Sequence, residues 1–297
     1  MARLWSSGAE LQSVTAGIEF TATVVNAPAL ETSLQRSGTH ALRISNSAAE
    51  GIRHLFTSAQ GSFFFRFYLY IVTLPNATNI IGGFRTSGAN VVNVRLTAAG
   101  NLQLWNNEDS AQVGSNSSAL STATWYRVEM ACDTTTLAAT VVAARIDGTE
   151  FASGTINLAI NPPNVGCSCP GDTTLDYIVD DLALNDSTGS FQNSYPGEGE
   201  IIHLRPNEAG DNAAWTRGGT DSGANFSQVD EITPNDATDY VLSNTSGQID
   251  DYGIDAVPAA MASETASQPY SWASARIDCG IRSTRAIVRS ARSLAIS

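Results

Sequence analysis

Apolar and polar residues alternate with a period of two along most of the first two-thirds of the chain, the mark of strands with one buried face. In the longest run, SFFFRFYLYIV, Phe63, Phe65, Phe67, Leu69 and Ile71 share one face and Phe64, Arg66, Tyr68 and Tyr70 the other. In NVVNVRL, Val92, Val94 and Leu96 oppose Asn93 and Arg95, and GNLQLW follows after a glycine turn. WYRVEMA sets Tyr126, Val128 and Met130 against Trp125, Arg127 and Glu129. TVVAARI then runs into Asp147-Gly148, a dipeptide suited to the positive φ angles of a type I′ turn, so a hairpin is expected there. DYIVDDLALND closes the series near residue 186, and no stretch before it carries a helical stripe. Strands at regular spacing, separated by Gly, Asn and Ser turns, predict an all-β antiparallel sandwich.

The pattern then breaks. STGSFQNSYPGEGE is rich in Ser, Gly, Pro and Asn, which predicts a linker over 188–197 between a sandwich of residues 1–187 and a smaller β-rich module of residues 198–297. The second module opens on IIHLRP and carries Asp230, Glu231, Asp236, Asp239, Asp250, Asp251 and Asp255. Its end has the opposite character: Arg282, Arg285, Arg289 and Arg292 recur at spacings of three, four and three with no acid after Asp278. On a helix these form one basic stripe, read as a docking tail for an acidic neighbour, with a solvated face as the plain alternative. RAIVRS reads equally well as a strand.

Charge narrows the range of partners. With 16 basic against 29 acidic residues the formal net charge is -13, which repels phosphate backbones and argues against a nucleic-acid partner. Every basic residue is Arg, for the sequence contains no lysine. No apolar run approaches the roughly 18 residues that would span a bilayer, so no membrane span is expected. MARLWSSGAELQS lacks the apolar stretch of a secretory signal, so export by that route is not expected.

The reactive constellations of common enzymes are missing. No GxSxG, HExxH, P-loop or GxGxxG occurs, and His40, His54 and His203 lie in unrelated segments, so a non-enzymatic protein is expected. Cys132, Cys167, Cys169 and Cys279 show no zinc-site spacing and are read as buried thiols, with a bridge from Cys132 to one of the GCSCP pair as the alternative. Asp180 and Asp181 are adjacent and are therefore expected on opposite faces of a strand. Pairing of the first and last strands would bring Glu10 and Asp181 together as hard oxygen ligands, so any metal is expected to be a structural calcium; acids capping turns are the alternative. Trp5, Trp105, Trp125, Trp215 and Trp272 could stack on sugar rings, although core or rim packing is the expected role and no glycan-binding residue stands out. Sequons begin at Asn76, Asn116, Asn185, Asn225 and Asn244 and are read as coincidental in so Asn- and Ser-rich a chain.

Taken together, W-x-S-G-x-E at the start, GTHALRIS, GNLQLW, ATWYRVEMACDTTT, ARIDGTEF and IVDDLALND resemble the concanavalin A-like, or laminin-G-like, jelly roll over residues 1–187. The continuation through QVDEITPNDATDYVLSNTSGQIDDYGI is similar to the second half of structural proteins of tailed bacteriophages. That resemblance implies a non-enzymatic virion component, a minor tail or capsid decoration protein, assembled in the host cytoplasm and released with the particle. It further implies a homo-oligomer with other virion proteins as partners, its jelly roll outward and its second module anchoring. The alternative is a carbohydrate-binding adhesin that recognises host surface glycans.

Overall fold

A computed structural model describes residues 3–256, apart from 46–48, 57–58, 172–173, 221, 234 and 236–237. The basic stripe of Arg282, Arg285, Arg289 and Arg292 lies outside the described residues, as do Trp272 and Cys279.

Contacts divide the chain into two units, the first covering most of residues 1–200 and the second most of 201–296. The first unit opens with β1 (Arg3–Ser7), β2 (Ala22–Thr23), β3 (Ala29–Glu31), β4 (Ala41–Ile44) and β5 (Glu50–Leu55). Next come β6 (Ser62–Thr73), β7 (Asn79–Arg85), β8 (Asn90–Leu96), β9 (Leu102–Asn106) and β10 (Ala111–Val113). It ends with β11 (Trp125–Asp133), β12 (Thr140–Ile146), β13 (Thr149–Ile156), β14 (Asn164–Cys169) and β15 (Asp176–Asp186). Two antiparallel sheets result. One runs β13-β12-β11-β6-β15-β4-β3 with β1 also paired to β15, and the other runs β10-β9-β8-β7-β14-β5-β2. The fold is the all-β antiparallel sandwich that the alternating pattern predicts, and it is consistent with the jelly roll that the resemblance implies.

The alternation explains how the sheets pack. Phe65, Phe67, Leu69 and Ile71 of β6, with Val128 and Met130 of β11, turn inward against Val92 and Val94 of β8 and Leu102 and Leu104 of β9. Burial of these side chains is the main drive for folding, at roughly 1.5–3 kcal/mol for each large one. Across the interior Tyr177 donates its hydroxyl hydrogen to the Ile81 carbonyl at 3.0 Å, so the phenol is satisfied where no water reaches it. Cys132, Cys167 and Cys169 are buried in this core. The expected hairpin joins β12 to β13, with Asp147 at φ 51° and Gly148 at φ 82°.

First and last strands of the sandwich pair as expected, Trp5 with Leu184 and Ser7 with Leu182. β15 is also flanked by β6 and, along its first half, by β4, whereas β1 pairs with β15 alone.

The second unit is built differently. β16 (Pro206–Ala213) pairs with β19 (Asp250–Ile254), and β17 (Thr216–Gly219) with β18 (Asp239–Leu242). Between residues 201 and 256 only Val241 and Gln228 are buried among those described. Polar side chains stitch the loops instead: Asp250 accepts from the Trp215 N–H at 3.1 Å and from Asn225 Nδ2 at 2.7 Å. Asp251 accepts from the Asn212 backbone and side chain, both at 2.7 Å. The acidic segment is thus partly the module's own bracing.

Candidate functional site

On the outer face of the seven-stranded sheet, β8 and β9 present the polar halves of their alternation. With Val92, Val94, Leu102 and Leu104 committed to the core, Asn93, Arg95, Gln103 and Trp105 must face away from it. Strand register continues the row, since Trp105 lies opposite Asn93, Asn93 opposite Gly83, Gly83 opposite Gly166 and Gly166 opposite Arg53. The two positions between Asn93 and Arg53 are glycines, so no side chain rises there.

The Arg95 guanidinium lies 4.0 Å from the Trp105 ring centroid, a cation–π contact that covers one face of the indole and holds the ring in place. Arg95 also donates to Asn93 Oδ1 at 3.1 Å and to Asn107 Oδ1 at 2.8 Å. Those bonds orient the Asn93 amide and leave Nδ2 without a protein partner, although Asn93 is 0% exposed. Arg85 Nη1 and Trp105 Nε1 are also unpartnered. Across the glycines Arg53 reaches Asn164 Oδ1 at 3.3 Å, and Asn164 pairs in register with Arg85. Burial, and then the charge of Arg53, lowers the pKa of Arg85, while burial alone lowers that of Arg95. The face is a bank of donors beside an aromatic ring. Paired buried polar groups are the rule in folded proteins, so several idle donors on one face set this sheet apart.

The eight-stranded sheet carries a second polar cluster on its own outer face, and this one is closed. Asp181 adopts φ 48°, and the pairing of β15 with β6 slips between Asp180 and Ala183, a bulge that re-aims a side chain. The expectation that Asp180 and Asp181 point to opposite faces is therefore wrong. Both meet the same turn: Asp180 Oδ2 accepts from the Arg36 N–H at 2.8 Å, while Asp181 accepts from Arg36 Nη1 and Ser37 Oγ, each at 2.7 Å. Arg36 also lies 3.6 Å over the Tyr68 ring. The stretch read as a linker over 188–197 contributes a strap across this cluster. Its Gly197 N–H donates to Glu129 Oε1 at 2.7 Å, its Gly197 carbonyl accepts from Arg66 at 2.9 Å, and Tyr195 packs on Phe64 and Arg145. The contact boundary accordingly falls after Glu200.

Burial and the adjacent Asp181 push the Asp180 carboxyl up to about 8, against backbone donors that favour its charged form. Unfolded, the group titrates near 4, so between about pH 4 and 8 the folded chain holds a proton that the unfolded chain has released. That contribution is fully present below pH 4 and is lost as pH rises through 8. Asp180→Asn is expected to flatten the decline. Urea titrations at pH 5 and pH 9 should differ by up to about 4 kcal/mol more in the parent than in the variant, and equal differences would contradict the assignment.

Of the calcium candidates, Asp181 is thus engaged by Arg36 and Ser37, whereas Glu10 is buried and groups with the second unit. Among the described residues no three His, Cys, Asp or Glu side chains gather as a metal site. Trp5 stacks on His54 at 4.6 Å and is buried, Trp125 packs against Tyr70, and Trp215 donates to the Gln248 carbonyl. His40 contacts Thr39, and burial followed by Arg205 lowers the pKa of His203. Trp105 is the candidate aromatic that sequence reading assigned to core or rim packing and that the structure places on the donor-rich face. Its signal was present in the spacing, because Trp105 is out of phase with Leu102 and Leu104.

No protein-family model matches the chain, and no curated protein matches its sequence. Solved structures give distant likenesses. One is a carbohydrate esterase, vb_24B_21, of the Shiga toxin-encoding bacteriophage phi24B, with 12% identity over 62% of this chain and 99% of that one, at a TM-score of 0.47. Another is botulinum neurotoxin type C, from work on its interaction with two ganglioside molecules, with 10% identity over 62% of this chain and 47% of that one, at 0.45. A third is an endo-β-1,4-glucuronan lyase of the fungus Trichoderma reesei, with 10% identity over 62% of this chain and 95% of that one, at 0.40. Likeness at this level carries neither activity nor ligand from those proteins to this one.

Proposed function

We propose that the sandwich is a non-enzymatic carbohydrate-recognition module that reads glycans on the outer face of its seven-stranded sheet. The observation that carries this reading is the pairing of an aromatic platform, Trp105 under Arg95, with unpartnered donors from Asn93 and Arg85 on the same face. A sugar ring offers an apolar face to stack and a fringe of hydroxyl acceptors, which is the complement of that surface. The charged groups here are guanidiniums, which bind; hydrolysis of a glycosidic bond calls for a pair of carboxyls. The setting we propose is the surface of a tailed-phage particle, on the strength of the sequence resemblance, with the second unit serving attachment and copies of the chain forming an oligomer.

A glycan array probed with the full chain is the test. Selective binding that weakens at least about tenfold, or about 1.4 kcal/mol, in Trp105→Ala is expected. Trp215→Ala should bind as the parent does. An array on which nothing binds, or on which Trp105→Ala binds as well as the parent, would overturn the reading.

A further inference from the structure

All three arginines of the seven-stranded sheet, Arg53, Arg85 and Arg95, are on its outer face, and among the described residues no carboxylate pairs with any of them. This is notable in a chain with 29 acidic residues. Elsewhere in the sandwich Arg36 pairs with Asp181, Arg43 with Glu31 and Asp176, and Arg127 with Glu129, while Arg3, Arg66 and Arg145 make no ion pair among the described residues but are engaged by Asn185, by backbone carbonyls and by the Tyr195 ring. The acids closest in sequence are occupied or face away. Glu50 shares the face of Ile52 on β5, opposite to Arg53, and accepts from Ser45. Glu108 accepts from the N–H groups of Ala159 and Ile160, and Asp109 accepts from Asn106.

Arg53 and Arg85 are close enough for their charges to repel, and Asn164, opposite Arg85 in the register, accepts from Arg53. Arg85 is 4% exposed, with a long 3.4 Å bond from Nε to the Thr86 carbonyl and no partner for Nη1. A buried guanidinium beside a second, half-buried one, without a counter-ion, is unfavourable until an anion joins them. We infer that the glycan read by this face is acidic, with a carboxylate or sulfate oxyanion seated between Arg53 and Arg85 while a neighbouring ring stacks on Trp105. This inference rests on the recognition reading above and adds the class of ligand.

The probes are a galacturonate tetramer and its fully methyl-esterified form, which keep one backbone and differ in charge, with dextran sulfate and dextran as the sulfate arm. The full chain is expected to bind the acidic member of a pair at least tenfold more tightly than the neutral one, with the preference shrinking as salt rises. Arg53→Gln and Arg85→Met should each abolish that preference, and Arg43→Gln, on the other sheet, should leave it intact. Whichever pair shows the preference identifies the oxyanion. Equal binding of charged and neutral forms, or a preference that survives both Arg53→Gln and Arg85→Met, overturns the inference. In that event neutral-glycan binding that still depends on Trp105 would leave the recognition reading standing, whereas binding of no glycan at all would remove both.

Discussion

Arg66→Met is expected to destabilise the sandwich by about 3–5 kcal/mol, the cost of removing one partner from a buried ionic network. Arg66 is 2% exposed and donates from Nε and Nη2 to the Asp181 carbonyl at 3.1 and 3.0 Å, and from Nη1 to the Gly197 carbonyl at 2.9 Å. Its charge is set against those of Asp181 and Glu129, so the variant strands two carbonyls and unbalances two carboxylates. Equilibrium denaturation would measure the loss. Hydrogen exchange should in addition show the Gly197 and Gly199 amides losing protection, since the strap is held partly by that guanidinium. Arg85→Met makes the informative contrast. Arg85 is almost as buried but has a single long hydrogen bond and no acid, so its replacement should leave the melting temperature unchanged or raised. A similar loss for both would mean that burial alone, and not the network, sets the cost.

Gly166→Ala is expected to cost about 3 kcal/mol, at the upper end of what an inserted methyl costs when backbone must shift to admit it. A Cβ at this position would fall inside the van der Waals envelope of the Ile52 carbonyl oxygen and close to the Arg53 Cα. Both are backbone atoms of β5, so no rotamer change relieves the overlap and the strand itself must shift. The shift would also move Arg53, which stands opposite Gly166 in the register. Glycan affinity should fall along with stability. Gly88→Ala, in open space at the β7–β8 turn, is the control expected to change neither.

The strands were legible because each buries one face, and a period of two writes that fact directly into SFFFRFYLYIV, NVVNVRL and WYRVEMA. Asp147-Gly148 was legible for a local reason, since few residue pairs accept two positive φ angles in succession. The Asp180-Asp181 pair was misread because a bulge breaks the parity rule, and nothing in DYIVDDLALND marks where it falls. The strap was misread for a related reason. Ser, Gly and Pro make a stretch look like a free linker, yet Gly197 and Gly199 are held by their own backbone groups, which no composition records. The donor-rich face was half legible, since the outward phase of Asn93, Arg95 and Trp105 is in the sequence. The register that adds Arg53 from a strand some 40 residues away is not.

The strands that close each sheet have an uneven distribution of lengths. β2, β3 and β10 run for two or three residues, whereas β13 runs for eight at the end of its sheet. An incoming chain that extends a sheet needs a row of unpaired backbone groups several residues long. β13 supplies such a row, and so does the shorter β1, which pairs with β15 alone, so a partner that docks on the sandwich by strand addition, including a second copy of this chain, has the eight-stranded sheet to extend and not the seven-stranded one.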